Sequence, residues 1–232
     1  IYDLINNKKN YKLESNFLLK LVKENEIIKS KRFLDYGCGT GKHAFYIQKK
    51  VDFVAGIDKS ADMIKIARKK FPKLDFYNLD FKFKKKFDVC YSLFHVFSYL
   101  KTDAQINFFF KTILKNLNKN GLLIFDYWLK SSVLSDPPKE KIKKIKYKNI
   151  SINRTTKFRH LKKKDLIKIN FNFLIKKNNK IVSFNETHDM RYFSKKKVNN
   201  FLKLYNFKLI KHSLWLNKKT KNWYICTVAQ KI

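Results

Sequence analysis

The segment Leu34-Asp35-Tyr36-Gly37-Cys38-Gly39-Thr40-Gly41 limits the folds open to this chain more than any other stretch does. An apolar strand, Arg32 to Tyr36, enters a turn with glycines at alternate positions, and a helical pattern through Ala44, Tyr46 and Ile47 follows. With only five glycines in 232 residues, three in one turn mark a place where backbone must come close to something. Glycine lets a ligand approach the backbone N–H groups, and the helix N-terminus beyond it adds free donors. A dinucleotide-binding turn would read G-x-G-x-x-G. Here the glycines fall at 37, 39 and 41 and the next residue is Lys42, so that spacing is missed.

Strands and helices alternate on both sides of this turn. Leu13, Phe17, Leu18, Leu21, Val22 and Ile28 at helical spacing predict an amphipathic helix from Asn10 to Lys29. Short buried strands are expected at 52–57, 74–78, 86–92 and 122–127. Between them, Ser60 caps a helix running to Lys70, a second helix runs from Thr102 to Leu117, and Asn118 to Gly121 reads as a turn. This alternation predicts a parallel, right-handed, doubly wound α/β sheet. Beyond Asp136-Pro137-Pro138 the period falls to two, through Ile145 and Tyr147, Ile150 and Ile152, then Ile167, Ile169, Phe171, Phe173 and Ile175. Asn178-Asn179-Lys180 reads as a hairpin turn there. A helix at 194–205 and strands near 207–216 and 223–228 restore the α/β pattern. The expected organisation is an N-terminal helical segment at 1–30, an α/β domain at 31–136 and 192–232, and a small antiparallel β insertion at 137–191.

Three acids follow three successive strands. Asp35 stands two residues before the first glycine, where a carboxylate can meet the ammonium of an amino-acid ligand. Asp58 ends the second strand, where an acid can take both ribose hydroxyls. Asp80 follows the third, where a carboxylate can accept from the exocyclic amine of adenine, and Met63 is placed to pack on the adenine face. Any one of them alone would be an ordinary helix cap. Together with the glycine turn they form one binding system at the carboxyl edge of the sheet.

As a set, these features resemble the class I S-adenosylmethionine-dependent methyltransferases over about residues 31–127. The resemblance implies a Rossmann-like, mostly parallel seven-stranded sheet, with S-adenosyl-L-methionine as cofactor and S-adenosyl-L-homocysteine as product. It implies that Gly37, Cys38, Gly39 and Gly41 hold the methionine part, Asp58 the ribose and Asp80 the adenine, with Lys59 and Phe81 beside them. A narrower likeness runs along the chain. Tyr2-Asp3, Lys9-Asn10-Tyr11 and Glu14 resemble the N-terminal segment of bacterial methyltransferases related to the deoxyaminosugar N-methyltransferases, although Asn10 replaces the usual acid. Ser92 to Leu100 sits where those proteins have a substrate-side loop. Phe125-Asp126-Tyr127-Trp128 and Glu186 to Phe193 resemble a subgroup linked to polysaccharide synthesis. By that likeness the N-terminal segment closes over the cofactor, Tyr2 and Tyr11 cap its methionine carboxylate, and the insertion roofs the acceptor.

Methyl transfer is an in-line displacement, so alignment and desolvation supply much of the acceleration. A base is needed only where the acceptor must lose a proton early. Candidates are His95 and Tyr99 after the fourth strand, and Glu186 and His188, which share one face of an insertion strand. Each also has a plain structural reading: His95 as a hydrogen-bonded half-buried residue, Glu186 and His188 as stabilisers of the insertion. His160 and His212 read as solvated.

The expected reaction is transfer to O or N of a small, nucleotide- or glycan-linked acceptor, a sugar or a polysaccharide or capsule precursor. The formal charge of +35 keeps two alternatives open, an RNA methyltransferase using a lysine-rich face and a non-catalytic cofactor-binding protein. Against nucleic acid stand the five arginines and lysines spread along the whole chain, which fit compositional drift. The fourth strand also lacks the Asn/Asp-Pro-Pro-aromatic turn of base-amino methyltransferases. Three scattered cysteines suit neither a disulfide framework nor a metal site, and no apolar run approaches the ~18 residues of a membrane span. A cytoplasmic monomer or dimer is expected, with a native start trimmed ahead of Ile1.

Overall fold

The structure, a computed structural model, describes residues 2–25, 31–178, 180–217 and 223–232. In chain order α1 (Tyr2–Ile5) and α2 (Tyr11–Asn25) precede β1 (Arg32–Tyr36), α3 (Lys42–Gln48), β2 (Phe53–Asp58), α4 (Ala61–Lys70), β3 (Asp75–Asn78) and β4 (Phe87–Ser92). A 3-10 turn at Val96–Tyr99 leads to α5 (Asp103–Asn116), β5 (Leu117–Leu129) and α6 (Lys130–Ser135). Four long strands follow: β6 (Lys141–Tyr147), β7 (Ile150–Leu161), β8 (Leu166–Lys177) and β9 (Lys180–Phe193). The chain closes with α7 (Lys195–Leu204), β10 (Phe207–Leu214) and β11 (Tyr224–Lys231).

Parallel neighbours run β3-β2-β1-β4-β5, and β11 then β10 extend the sheet antiparallel. Alternate side chains of each strand feed two cores, as a sheet covered on both faces requires. Leu34 and Tyr36 pack with Phe109 and Phe110 of α5 and Leu202 of α7. Phe33 faces the other way, with Leu18 and Leu21 of α2 and Ala44 and Ile47 of α3. The helices start where side chains can satisfy free N–H groups. Ser60 accepts from the Met63 N–H, Thr102 and Gln105 form a capping box, and Ser194 accepts from the Lys197 N–H.

Strands β6 to β9 form an antiparallel sheet that joins the main one through two residue pairs, Trp128–Tyr192 and Leu129–Phe193. Its apolar face covers Ile5 of α1 with Ile145, Ile152, Phe173 and Ile175, and Lys143 Nζ donates to the Ile5 carbonyl at 2.6 Å. The N-terminal segment is thereby tied to the inserted sheet.

The structure departs from the sequence expectations at identifiable places. Asn118 to Gly121 lies inside β5 and is no separate turn; Asn120 takes a left-handed φ of 62° within the strand. The boundary expected at 191/192 falls inside β9, because that strand crosses from the inserted sheet to the edge of β5. Helices α1 and α6 are too short to leave a periodic signal. The first long helix ends at Asn25, and positions 26–30, like Asn179 of the expected hairpin, lie outside the described residues. His212 is half-buried with both ring nitrogens engaged, by Thr227 and Asn199, and His160 bonds the Tyr192 hydroxyl; neither is simply solvated. Cys38, Cys90 and Cys226 are buried and free. Among the described residues no helix is long and apolar enough to cross a membrane.

Candidate active site

The glycine turn is held from behind by β2. Gly37 and Cys38 donate to the Ile57 carbonyl at 2.7 and 3.1 Å, and Asp58 Oδ2 accepts from the Gly39 N–H at 2.8 Å. The other Asp58 oxygen accepts from the Ser60 N–H at 2.9 Å, so the carboxylate is aimed by two backbone donors and keeps lone pairs to spare. Gly37 has φ +78°, and a Cβ there would lie 2.7 Å from the Val96 methyls, so this turn packs directly on the loop after β4. Gly39, at φ +53°, has nothing within 4 Å of a Cβ position: its backbone borders open space. Cys38 points into the core, where its sulfur fills the room left by Gly56, and burial pushes its thiol up. It serves packing beneath the turn.

Asp35 is fully buried, and its Oδ2 has no hydrogen-bond partner. Desolvation pushes this carboxyl up to about 8, with the neighbouring Tyr91 phenol pulling the other way. A buried carboxyl with an unused oxygen suits a cationic ligand group. The remaining positions near β2 and β3 are more open. Lys59 and Asp80 are exposed, Met63 is half-buried, and Phe81 is 41% exposed and stacked on Tyr77 with ring centroids 3.7 Å apart.

The N-terminal segment arrives over this edge. Asp3 accepts from the Thr40 hydroxyl at 3.0 Å, pairs with Lys42 at 3.0 Å and contacts Lys70, pinning α1 to the glycine turn and to both neighbouring helices. Burial raises the Tyr2 phenol, and Tyr11, Tyr99, Asp58 and Glu14 are charged or acidic neighbours that add to it. Burial likewise pushes Tyr11, whose hydroxyl is unpartnered, up to about 12. Behind Tyr11, Glu14 accepts from Lys9 and lies 2.7 Å from His43 Nε2. Burial would raise Glu14, yet the His43 and Lys9 contacts hold it below its ordinary range; burial lowers His43.

The four sequence-nominated acid–base candidates fall into two groups. His95 follows Phe94 in a turn where both residues have left-handed φ, 68° and 66°. Its backbone N–H donates to Asp126 Oδ1 at 2.9 Å, and its Nδ1 lies 3.0 Å from Asp126 Oδ2, although off the angle of a hydrogen bond. Asp126 is fully buried, so its pull on Nδ1 favours the tautomer with the proton there and leaves Nε2 as the accepting nitrogen. Tyr99, His188 and Glu186 form a separate chain. The Tyr99 hydroxyl lies 3.0 Å from His188 Nδ1, and His188 Nε2 lies 3.3 Å from Glu186 Oε2. Burial pushes the Tyr99 hydroxyl up to about 12; because the Glu186 carboxylate can only accept, Nε2 of a neutral His188 carries the proton and Nδ1 accepts from Tyr99. Both nitrogens of His188 are therefore engaged, unlike His95 Nε2.

Sequence reasoning missed His43 and Tyr224 as members of this centre, and it named Lys9 only as part of the N-terminal likeness. Tyr224, opposite Trp128 across the β5–β11 pair, lies 4.4 Å from the His95 ring. No local pattern marks it, because it arrives from the last strand. Among the described residues no group of acids, histidines or cysteines is placed to hold a metal ion.

Comparison with known proteins places this geometry. Residues 33–121 match the model of a methyltransferase domain. Over 133 residues the chain is 29% identical to the dTDP-3-amino-3,4,6-trideoxy-alpha-D-glucopyranose N,N-dimethyltransferase of Streptomyces venezuelae, covering 55% of this chain and 56% of that one. The chain thus spans about half the length of the curated relatives it matches. Its fold superposes on Streptomyces venezuelae DesVI with a TM-score of 0.86 at 19% identity, over 100% of this chain and 97% of the other. It superposes on the sugar N-methyltransferase KedS8 from a Streptoalloteichus species with a TM-score of 0.84 at 18% identity, over 98% and 92%. The chain has the class I methyltransferase fold. Within that fold, about half of the chain is similar in sequence to aminosugar N,N-dimethyltransferases.

Proposed function

We propose that the chain is an S-adenosylmethionine-dependent methyltransferase whose acceptor is the amine of a nucleotide-linked sugar that feeds glycan or capsule assembly. The observation that carries this reading is the contact between Gly37 and Val96, which sets the glycine turn against the loop presenting His95. A donor held by the turn and a proton acceptor on that loop would share one cleft. The relatives' activity on dTDP-aminosugars supports an amine acceptor.

The residues fit the cofactor. Open space at Gly39 admits its methionine part, the unused Asp35 oxygen suits an ammonium, and the Asp58 carboxylate suits a ribose diol. Tyr2 and Tyr11 would cover its methionine end, and Met63, Phe81, Lys59 and Asp80 would border its adenine end. When bound, the cofactor supplies an electrophilic methyl group. The chain's own part is to align and desolvate the acceptor nitrogen and to take its proton. His95 Nε2 takes that proton, with Asp126 stabilising the imidazolium that forms. Tyr99, oriented by His188 and Glu186, positions the sugar. The inserted sheet roofs that acceptor.

Incubation with S-adenosylmethionine and a panel of dTDP-aminosugars, read by mass spectrometry, tests the proposal. Gain of one or two methyl groups on the amine is expected. Saturable cofactor binding with no methyl loss to any acceptor would leave only a cofactor-binding protein. The lysine-rich surface gives RNA as the competing acceptor, and a steep fall of RNA affinity with salt from near-micromolar binding would favour it.

A further inference from the structure

Lys9 is the group whose surroundings the reaction above does not use. It comes from the loop between α1 and α2, is largely buried, and its ammonium contacts Glu14. The same Nζ lies 3.9 Å from the centroid of the Phe94 ring, a cation–π contact on the residue just before His95. Phe94 and His95 are consecutive non-glycine residues in left-handed backbone, a conformation that persists only when its surroundings hold it. A cavity of about 30 Å³ is lined by Lys9, Glu14, Phe94, His95, Asp126, Trp215 and Tyr224. It is too small for a substrate, and it puts one cation and two carboxylates around a single imidazole.

We propose that Lys9 is a positioning residue: it clamps the strained Phe94–His95 turn from the N-terminal segment and balances the charge around the His95–Asp126 pair. This rests on the reading of His95 as the proton acceptor. The charged or titratable groups around the imidazole are Asp126 from β5, Tyr224 from β11, and Lys9 and Glu14 from the N-terminal segment, with His43 of α3 behind Glu14. A cation beside an imidazole disfavours its protonated form, and an anion favours it. Seating of the N-terminal segment would then do two things together: fix the direction of His95 and bring the Lys9 cation and the Glu14 carboxylate to it as a pair.

Histidine titration by NMR, with the His95 signal assigned through His95→Gln, reads this without recourse to turnover. Lys9→Met keeps the length of the side chain and removes its charge. It should raise the His95 midpoint by roughly half a pH unit or more. Glu14→Gln should move it the opposite way, and Lys9→Arg should leave it near the wild-type value. The acid limb of the kcat profile should shift with the midpoint in both variants, while the KM for the cofactor changes less than threefold. Opposite shifts without any change in turnover would support the coupling and refute His95 as the proton acceptor. A His95 midpoint that is unmoved in Glu14→Gln, or that moves in the same direction in both variants, would overturn the proposal. If Lys9→Met does not fold, the sign of the Glu14→Gln shift decides alone.

Discussion

The α/β edge and the inserted sheet would contribute to the proposed cleft by different means. At the edge, the groups proposed to meet the ligand are set by backbone: left-handed glycines, turn N–H groups and acids fixed by strand ends. In the insertion they come from side chains on long strands, where Glu186 and His188 meet Tyr99 only because β9 crosses to the end of β5. Backbone geometry of the first kind tolerates few substitutions and suits a donor that stays the same. Side chains on a two-residue period can be exchanged one at a time, which suits an acceptor that varies between relatives.

The largest effect that separates the two regions is expected at Asp58. Asp58→Ala removes a carboxylate from the proposed ribose contact and frees two backbone donors, Gly39 of the turn and Ser60 ahead of α4. Charge-assisted hydrogen bonds are each worth about 1.5–3 kcal/mol, so cofactor affinity should fall by roughly two to three orders of magnitude in calorimetry, with cooperative melting retained. Unchanged affinity would break the ribose assignment.

Next is His95. His95→Ala should lower kcat by about 10²–10⁴-fold, the usual range for a proton-transfer group, with cofactor affinity nearly unchanged. Full turnover in that variant would mean that the acceptor amine arrives unprotonated and needs no base.

Asp35 sharpens the comparison through pH. Its folded-state carboxyl, raised to about 8 by burial, holds a proton that the unfolded chain has already released. The stability this contributes is complete below about pH 4 and is lost as pH rises toward 8. Thermal melts without cofactor should therefore show a decline across that window that Asp35→Asn flattens. Cofactor binding near pH 7 should release a proton in the wild type, seen as a buffer-dependent heat. Equal heats in buffers of different ionisation enthalpy would argue against an ammonium at Asp35.

The smallest effect belongs to the insertion. Tyr99→Phe removes the hydroxyl that lies 3.0 Å from His188 and should raise the acceptor KM by roughly three- to tenfold, a loss of about 1 kcal/mol, without touching cofactor affinity. A larger loss in kcat than in KM would move Tyr99 from positioning into the chemistry.

This asymmetry also explains what could be read in advance. The glycine turn and the capped helices are legible because each depends on neighbours within a few residues, as Ser60 capping its own helix shows; Asp58 is legible in position at its strand end, while its bond to Gly39 spans 19 positions across adjacent strands. Asp35 was legible in position but not in state, since its burial is set by the strands on either side. His95 and Tyr99 could be nominated from their place after β4. That Asp126 would pin the backbone of His95, or that His188 would have both nitrogens occupied, depends on contacts between residues 31 and 89 positions apart. Lys9 stands in the N-terminal segment that carries the family likeness, but its contact with Phe94 is not local; His43 and Tyr224 carry no local signal and reach the centre through packing of distant elements. The turn expected at Asn118–Gly121 failed for the reverse reason. Its local residues favour a turn, and they lie where the pairing with β4 skips from Leu117 to Leu122 with a shift of register, so the irregularity is carried inside β5 instead of separating it from α5.

The central claim is that one cleft holds a donor half built on the turn and a separate proton-accepting half built on the Phe94–His95 loop. It is tested most directly by measuring cofactor affinity and methyl-transfer turnover side by side in Asp58→Ala and His95→Ala. Affinity is expected to collapse only in Asp58→Ala, while turnover falls in both. Equal losses of affinity in the two variants, or turnover intact in His95→Ala, would contradict it.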